Sequence, residues 1–322
     1  MAALLEVDGL SVDFAGAQRP IHALRDIRFA IERGRIVGLV GESGSGKSTL
    51  SLAILRLLAP TARIVAGTIR FDGMDLFSLP EEAMRALRGE RISMVFQDPM
   101  STLNPVLTVG AQMVDVQFRH ADLGRAEKRA RAVALLKRVG IPDPERRIDQ
   151  YPHQFSGGMR QRISIAMALL GRPDLLIADE PTTALDVTLE AQILDLLRDL
   201  RRDFAGAILL VSHHLGVVAE ICDEVVVFYA GELVEQAPVK ELFANPRHPY
   251  TKALLDCDPG RLADDAHTFP TIPGRLPDLG EARTHCVFAA RCPHAFDRCL
   301  VEVPKVIEVA LGHRASCHLL GG

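Results

Sequence analysis

Gly41-Glu42-Ser43-Gly44-Ser45-Gly46-Lys47-Ser48-Thr49 is the stretch that decides the fold. The apolar run Ile36 to Val40 precedes it and reads as a buried parallel strand, while Leu50 to Leu55 behind it reads as a helix. Strand, glycine-rich turn and helix form the setting in which a G-x-x-x-x-G-K-[ST] pattern holds nucleotide phosphates. Gly41, Gly44 and Gly46 let the backbone curl so that successive N–H groups point inward at phosphate oxygens. The helix N-terminus adds partial positive charge. Lys47 is placed to reach the β- and γ-phosphates, and the Ser48 hydroxyl to ligate Mg²⁺. The expectation is an α/β domain organised around a nucleotide-phosphate site.

Composition bounds what surrounds that site. A chain of 322 residues exceeds most single cores and predicts either one large domain with an extension or two domains. A net charge of −4 gives no basic footprint for nucleic acid. Met1 to Leu10 lacks the basic and apolar regions of a signal peptide. No apolar run approaches the roughly 18 residues that cross a bilayer, so any membrane spans are expected from another subunit.

Outward from the loop, residues 4–14 alternate as a half-buried strand, with Leu10, Val12 and Phe14 on one face. Ala23 to Ile31 and Gly67 to Phe71 give two more strands, and together these predict a small antiparallel sheet. Arg91 to Phe96 reads as a short buried strand ending at Gln97, followed by a loop with two prolines through Pro105. Helical periodicity runs from Val109 to Val139, with Pro142 and Pro144 as its stop. Val225 to Tyr229 and Leu233-Val234 read as a hairpin across Ala230-Gly231. Arg247-His248-Pro249-Tyr250-Thr251 opens a short helix to Leu255, and Phe269 to Leu279 is linker-like.

Three further stretches carry chemistry. In Gln154-Phe155-Ser156-Gly157-Gly158-Met159, Ser156 is a good N-cap and the glycines leave open amides, a second helix terminus fit to meet phosphate. One explanation for two such termini in one domain is that the second serves a nucleotide bound by another subunit. In Leu175-Leu176-Ile177-Ala178-Asp179-Glu180, a buried strand delivers two carboxylates to its C-terminal edge. Asp179 suits the Mg²⁺ shell, and Glu180, pointing elsewhere, suits the base that deprotonates the attacking water. The strand from Ala207 to Ser212 ends at His213-His214.

The tail holds Cys286-x5-Cys292-Pro293-x5-Cys299-x17-Cys317. Two disulfides do not suit a chain without a signal peptide, and unconnected buried thiols are the plainest alternative. Zinc sites favour shorter C-x₂₋₄-C pairs, with His285, His294, His313 and His318 keeping mixed ligation open. Four thiolates, one followed directly by proline, suit a 4Fe–4S cluster with a structural role. Cys222 and Cys257 fall outside the spacing.

The phosphate loop, Gln97, Ser156-Gly157-Gly158, Asp179-Glu180, Ala184-Leu185-Asp186 and His213 stand in the order seen in ATP-binding-cassette ATPases, which the chain resembles over roughly residues 4–245. More narrowly it resembles the ATPase subunits of bacterial oligopeptide and dipeptide importers, through Gln97 to Asn104, Tyr151 to Met159, His248-Pro249-Tyr250-Thr251 and the terminal cysteines. Phe155 and Met159 are common there, whereas His214 departs from the aspartate usual at its position. The alternative is a cassette ATPase acting on DNA or ribosomes. The resemblance implies a P-loop NTPase with a RecA-like parallel sheet core, an antiparallel β subdomain and a helical signature subdomain at about 101–172. The nucleotide-binding domain would span 1–245 and a cysteine-containing extension 246–322. It implies that Phe14 stacks on adenine, that residues Gly41, Glu42, Ser43, Gly44, Ser45, Gly46, Lys47, Ser48 and Thr49 hold ATP, and that Ser156, Gly157, Gly158 and Asp186 act across a head-to-tail pair. Ser48, Gln97 and Asp179 would hold Mg²⁺; Glu180, His213 and Gln97 would be catalytic; Cys286, Cys292, Cys299 and Cys317 would hold the 4Fe–4S cluster, with zinc as alternative. Implied partners are a second, different ATPase subunit, two polytopic permease subunits docking near Gln97 to Asn104 and, indirectly, an extracytoplasmic solute-binding protein. The implied location is the cytoplasmic face of the inner membrane, and no nucleic acid is implied.

Overall fold

The computed structural model of the protein describes residues 3–98, 102–182, 187–203, 206–258 and 270–321. In chain order its strands are β1 (Ala3–Phe14), β2 (Ile21–Glu32), β3 (Ile36–Val40), β4 (Ala62–Phe71), β5 (Met74–Asp75) and β6 (Ile92–Val95). They continue as β7 (Leu175–Asp179), β8 (Ala207–Val211), β9 (Glu224–Tyr229), β10 (Glu232–Pro238), β11 (Val306–Ala310) and β12 (His313–Ser316). The residues fall into two compact units, 1–79 with 210–322, and 80–209.

In the first unit, the expected antiparallel sheet forms in the order β2-β1-β4-β5. β1 buries Leu5, Val7, Leu10 and Val12 and exposes Glu6 and Asp8, the period-2 pattern that fixes which face meets the core. Its register slips near Gly9, where φ is 66°, so that the alternation changes phase within one strand. β3 is buried at all five positions and pairs in parallel with β9, from Val37↔Glu224 to Val40↔Val227. That continuous apolar run is what a parallel strand covered on both faces requires. β9 and β10 form the expected hairpin, and positive φ at both Ala230 and Gly231 gives the twist such two-residue turns need.

The tail adds two strands that the sequence reading did not contain. β12 pairs with β10 at Glu235↔Ala315 and Gln236↔Arg314, and β11 pairs with β12. Both are short, and β11 is buried at none of its positions, so neither leaves a clear periodic signal. Their anchor is Glu235, a fully buried carboxylate that accepts from Arg247 N (2.7 Å) and His248 N (2.9 Å) and lies 2.8 Å from His313 Nε2. Burying a carboxylate is costly unless its lone pairs are used, and here the three partners come from both ends of the extension.

In the second unit, β6 and β7 pair in parallel from Ile92↔Leu175 to Val95↔Ala178. The single helix expected over 109–139 is two: Val109–Asp115 and Arg125–Arg138, the second entered through an extended Gly124. Gln117 holds the corner, its Nε2 donating to Met113 O and Lys128 O at 2.9 Å each. The stop is also different from the expected prolines. Gly140 in the left-handed region (φ 76°) ends the second helix, and Pro144 instead opens a short helix, Pro144–Arg147. Within this unit Ala207 N, at the start of β8, donates to Asp174 O (2.7 Å); in the first unit Ser212 N, just past its end, donates to Leu39 O (3.1 Å). Among the described residues no helix is long and apolar enough to cross a membrane.

Candidate nucleotide-binding site

β3 ends at Val40 and the chain turns at once into Gly41, whose φ is 149°. A Cβ there would stand 2.1 Å from Phe228 O, and one on Gly46 (φ 103°) 2.8 Å from Ala23 O. Both conformation and space therefore demand glycine at these two positions. The helix Lys47–Ile54 starts directly from Gly46. Lys47 is buried, and its Nζ donates to Gly41 O (2.7 Å) and Glu42 O (3.0 Å), so the ammonium bridges the loop from the inside. The hairpin turn supports the loop from behind, with Gly231 N donating to Ser45 O at 3.0 Å. Ser43, Gly44 and Ser48 are exposed. Phe14 is half-buried at the end of β1, paired with Ile21 and Ala62.

Two residues that the sequence reading did not assign to this loop hold it. Glu42 N donates to Tyr250 Oη at 2.8 Å. The Glu42 carboxylate takes a bidentate pair from Arg291, Nη1 to Oε2 at 2.7 Å and Nη2 to Oε1 at 3.0 Å. The carboxylate beside it pushes the Arg291 pKa further up, and burial pushes that of Tyr250 up. Tyr250 lies in the quartet His248-Pro249-Tyr250-Thr251, where nothing local signals a contact with the loop. Arg291 carried no local signal, since its partner lies 249 residues away.

In the second unit β7 delivers the two carboxylates in different settings. Asp179 is buried, while Glu180 is half-exposed and sits in the left-handed region at φ 47°. For a residue with a Cβ that conformation costs about 1–2 kcal/mol, a strain characteristic of functional positions. Gln97 Nε2 donates to Glu180 Oε2 at 2.9 Å, so the structure brings together two residues 83 positions apart. Ser156 caps the helix Gly157–Leu169, its Oγ accepting from Met159 N at 3.4 Å. Ser156 and Gly157 are exposed and Gly158 is buried, which opens the first amides of that helix to an anion. His213, in the first unit, is exposed with its ring 4.2 Å from that of His214. Asp186 and the Ala184-Leu185 pair before it lie outside the described residues.

The four tail cysteines line one small cavity of about 10 Å³ together with His248, His294 and His318. None forms a disulfide. Burial pushes the thiol of Cys286 up to about 11 and those of Cys292 and Cys317 upward, so all three are neutral when no cation shares the cavity. The His248 imidazole is driven down to about 3 by the same burial. No lysine or arginine lines the cavity. In kind, this is a donor set for a soft metal centre. Among the described residues, however, no group of three or more His, Cys, Asp or Glu side chains is drawn together as a metal site. Cys222 stands apart from the cavity, 3.0 Å from where a Cβ on Gly38 would lie, and Cys257 is not among the lining residues.

The "ABC transporter" family model matches residues 24–183, spanning the loop and both carboxylates. A protein of Sinorhizobium fredii, "Probable peptide ABC transporter ATP-binding protein y4tR", is 49% identical over 98% of this chain and 94% of its own length. The chain belongs to the ATP-binding-cassette transporter family. A second model, "Oligopeptide/dipeptide transporter, C-terminal region", matches residues 234–299, which takes in the tail as far as Cys299. "Dipeptide transport ATP-binding protein DppD" of Escherichia coli is 46% identical over 98% of this chain and 96% of its own. Among solved structures, the ADP- and Pi-bound dimer of the cassette MJ0796 matches with a TM-score of 0.66 at 26% identity, covering 73% of this chain and 98% of that one. CbiO1 from Clostridium perfringens, part of the transporter complex cbiONQ, gives 0.64 at 31% identity, covering 76% and 92%. The protein is therefore an ATP-hydrolysing cassette subunit with the α/β fold expected from its loop. The reading as a DNA- or ribosome-acting ATPase finds no support in these matches.

Proposed function

We propose that this chain powers the import of peptides, binding and hydrolysing ATP at the cytoplasmic face of the inner membrane while separate permease subunits carry the solute. The observation that carries the reading is the combination of an open phosphate loop with a strained Glu180 held by Gln97, in a chain whose tail matches the peptide-transporter C-terminal region. Gly41 to Thr49 cradle the β- and γ-phosphates with backbone N–H groups, and Lys47 exchanges its contacts with Gly41 O and Glu42 O for phosphate oxygens. Phe14 stacks on the adenine. Ser48, Asp179 and Gln97 are the residues that would hold Mg²⁺, which when bound draws charge from the phosphates. Glu180 takes the proton of the attacking water, Gln97 orients it, and His213 faces the γ-phosphate.

Ser156, Gly157, Gly158 and Asp186 serve the nucleotide of a second, different ATPase subunit, and that subunit returns the favour. The exposure of Ser156 and Gly157 at the start of the helix Gly157–Leu169 supports this division. Exposed Val106, Leu107, Val116 and Phe118 follow the Gln97–Asn104 stretch and offer an apolar face to a permease helix. A solute-binding protein outside the membrane supplies the peptide. In the tail, Cys286, Cys292, Cys299 and Cys317 would hold a 4Fe–4S cluster that clamps an extension with little apolar core; admitting it requires the thiols to part, given the 10 Å³ between them.

The test replaces Ser156 by Arg, or Gly158 by Asp, in the assembled transporter. ATP affinity of the isolated subunit should stay within about threefold of wild type while transporter hydrolysis is lost. If the isolated subunit loses ATP as badly as Lys47→Ala does, the signature stretch belongs to the same nucleotide as the loop and the shared-site reading is wrong.

A further inference from the structure

A phosphate-binding loop is an anion site, yet this one carries a carboxylate, Glu42, inside it. Like charge next to bound phosphate opposes binding unless it is neutralised or turned away. The structure shows how that happens. Arg291 grips both oxygens of Glu42 from the C-terminal extension, and it is itself buried, with 5% of its side chain exposed against 27% for Glu42. Its remaining donors are spent on the extension: Nε on Pro273 O (2.8 Å) and Nη2 on Ile272 O (2.9 Å). Nη1 also reaches Tyr229 Oη at 3.3 Å, and the guanidinium carbon lies 5.7 Å from the centre of that ring. The fork is thus fixed on three sides before it meets Glu42. Lysine, a point charge with rotatable donors, cannot reproduce such a planar, many-partner grip. Leu276 of the same segment lies 3.6 Å from where a Cβ on Gly44 would stand, so the extension touches the loop at a second place.

We infer that Arg291 is a positioning residue for ATP binding: it neutralises Glu42 and holds its carboxylate out of the phosphate cradle, making the affinity of the loop depend on the C-terminal extension. The inference rests on the reading that Gly41 to Thr49 holds the phosphates. With Arg291 gone, the freed carboxylate has two ways to oppose ATP. It stands as an unpaired anion beside the phosphates, and it can capture the Lys47 ammonium, whose present partners include Glu42 O.

The experiment is a double-mutant cycle in the full-length protein, reading the Kd for ATP·Mg and the KM and kcat of the assembled transporter. Arg291→Ala should raise Kd and KM about tenfold, the size of one like charge acting through a partly wet site, with kcat changed less than twofold. In a Glu42→Gln background the same Arg291→Ala change should cost less than twofold. Arg291→Lys should recover part of the loss, since it keeps the charge but not the fork. If Arg291→Ala costs as much with Glu42→Gln as without it, the arginine supports the fold and not the loop charge, and the inference falls. If Arg291→Ala leaves Kd and KM unchanged, it falls as well. Should Arg291→Ala fail to fold, the Arg291→Lys change carried with and without Glu42→Gln gives the same cycle. Lys47→Ala run alongside separates the two readings: were it to bind ATP normally, the phosphate-loop assignment itself would be wrong, whatever Arg291 does.

Discussion

The phosphate loop and the C-terminal extension solve opposite problems with opposite means. The loop is a backbone device: its shape comes from glycines placed where a Cβ would strike Phe228 O or Ala23 O, and the groups proposed to hold phosphate are backbone N–H donors, which every residue but proline carries. The extension is a side-chain device. It has few strands, a linker from 270 to 279 and a cavity lined by thiols and imidazoles, and it is fastened through the buried Glu235, through Arg283 on Glu232, and through Arg291 on Glu42. A backbone device announces itself in sequence because the glycines must fall at fixed positions. A side-chain device joins residues that are far apart, and its parts look ordinary one by one.

The contrast can be broken at several points. The largest effect is expected at the loop lysine: Lys47→Ala should weaken ATP binding by at least a hundredfold, because the Nζ that spans the loop has no substitute. Gly41→Ala comes next. A Cβ 2.1 Å from a backbone carbonyl, on a φ of 149°, has nowhere to go, and the loss of stability should be about 2–4 kcal/mol by thermal or urea unfolding. If instead the loop tolerates alanine there, its shape is not a matter of backbone space. On the side of the extension, the proposed cluster predicts iron and sulfide in anaerobically purified wild type, both lost in Cys292→Ser with Cys299→Ser while ATP affinity stays within about threefold. Colour that survives both changes would remove the cysteines from any cluster.

The smallest effect concerns Glu232. Burial raises its carboxyl to about 7, outweighing the pull of Arg283 and Arg25. The folded chain therefore holds this proton more tightly than the unfolded chain, whose glutamate titrates near 4.5. Its contribution to stability is full below pH 4.5 and is lost as pH rises through 7. Glu232→Gln, neutral throughout, should flatten that decline, and unfolding midpoints measured from pH 5 to pH 8 will read it. An unchanged slope would mean that the Arg283 pair keeps the carboxylate ionised.

How much was legible follows the same division. The strands flanking the loop, the hairpin at Ala230-Gly231 and the capped helix after Ser156 were readable because each depends on local pattern: burial period, paired positive φ, a capping hydroxyl. The break between the helices Val109–Asp115 and Arg125–Arg138 was not, since the apolar period continues across a corner that Gln117 makes with two carbonyl contacts. Gly140 is the stop, a less conspicuous signal in the sequence than Pro142 and Pro144. In the site, Asp179 and Glu180 were readable as a strand end, and the strain on Glu180 and its contact with Gln97 add what sequence does not carry. Tyr250 and Arg291 were invisible for the same reason as the tail strands: their partners are set by tertiary structure alone.

The proposed mechanism depends most on Glu180 as the base of an ATP-hydrolysing subunit. The most direct test is hydrolysis and nucleotide retention by the Glu180→Gln variant in the assembled transporter. ATP should bind with affinity near that of wild type and remain unhydrolysed in a closed complex, with kcat down by about 10²–10⁴-fold, the usual contribution of a general base. Turnover within about threefold of wild type would contradict the assignment.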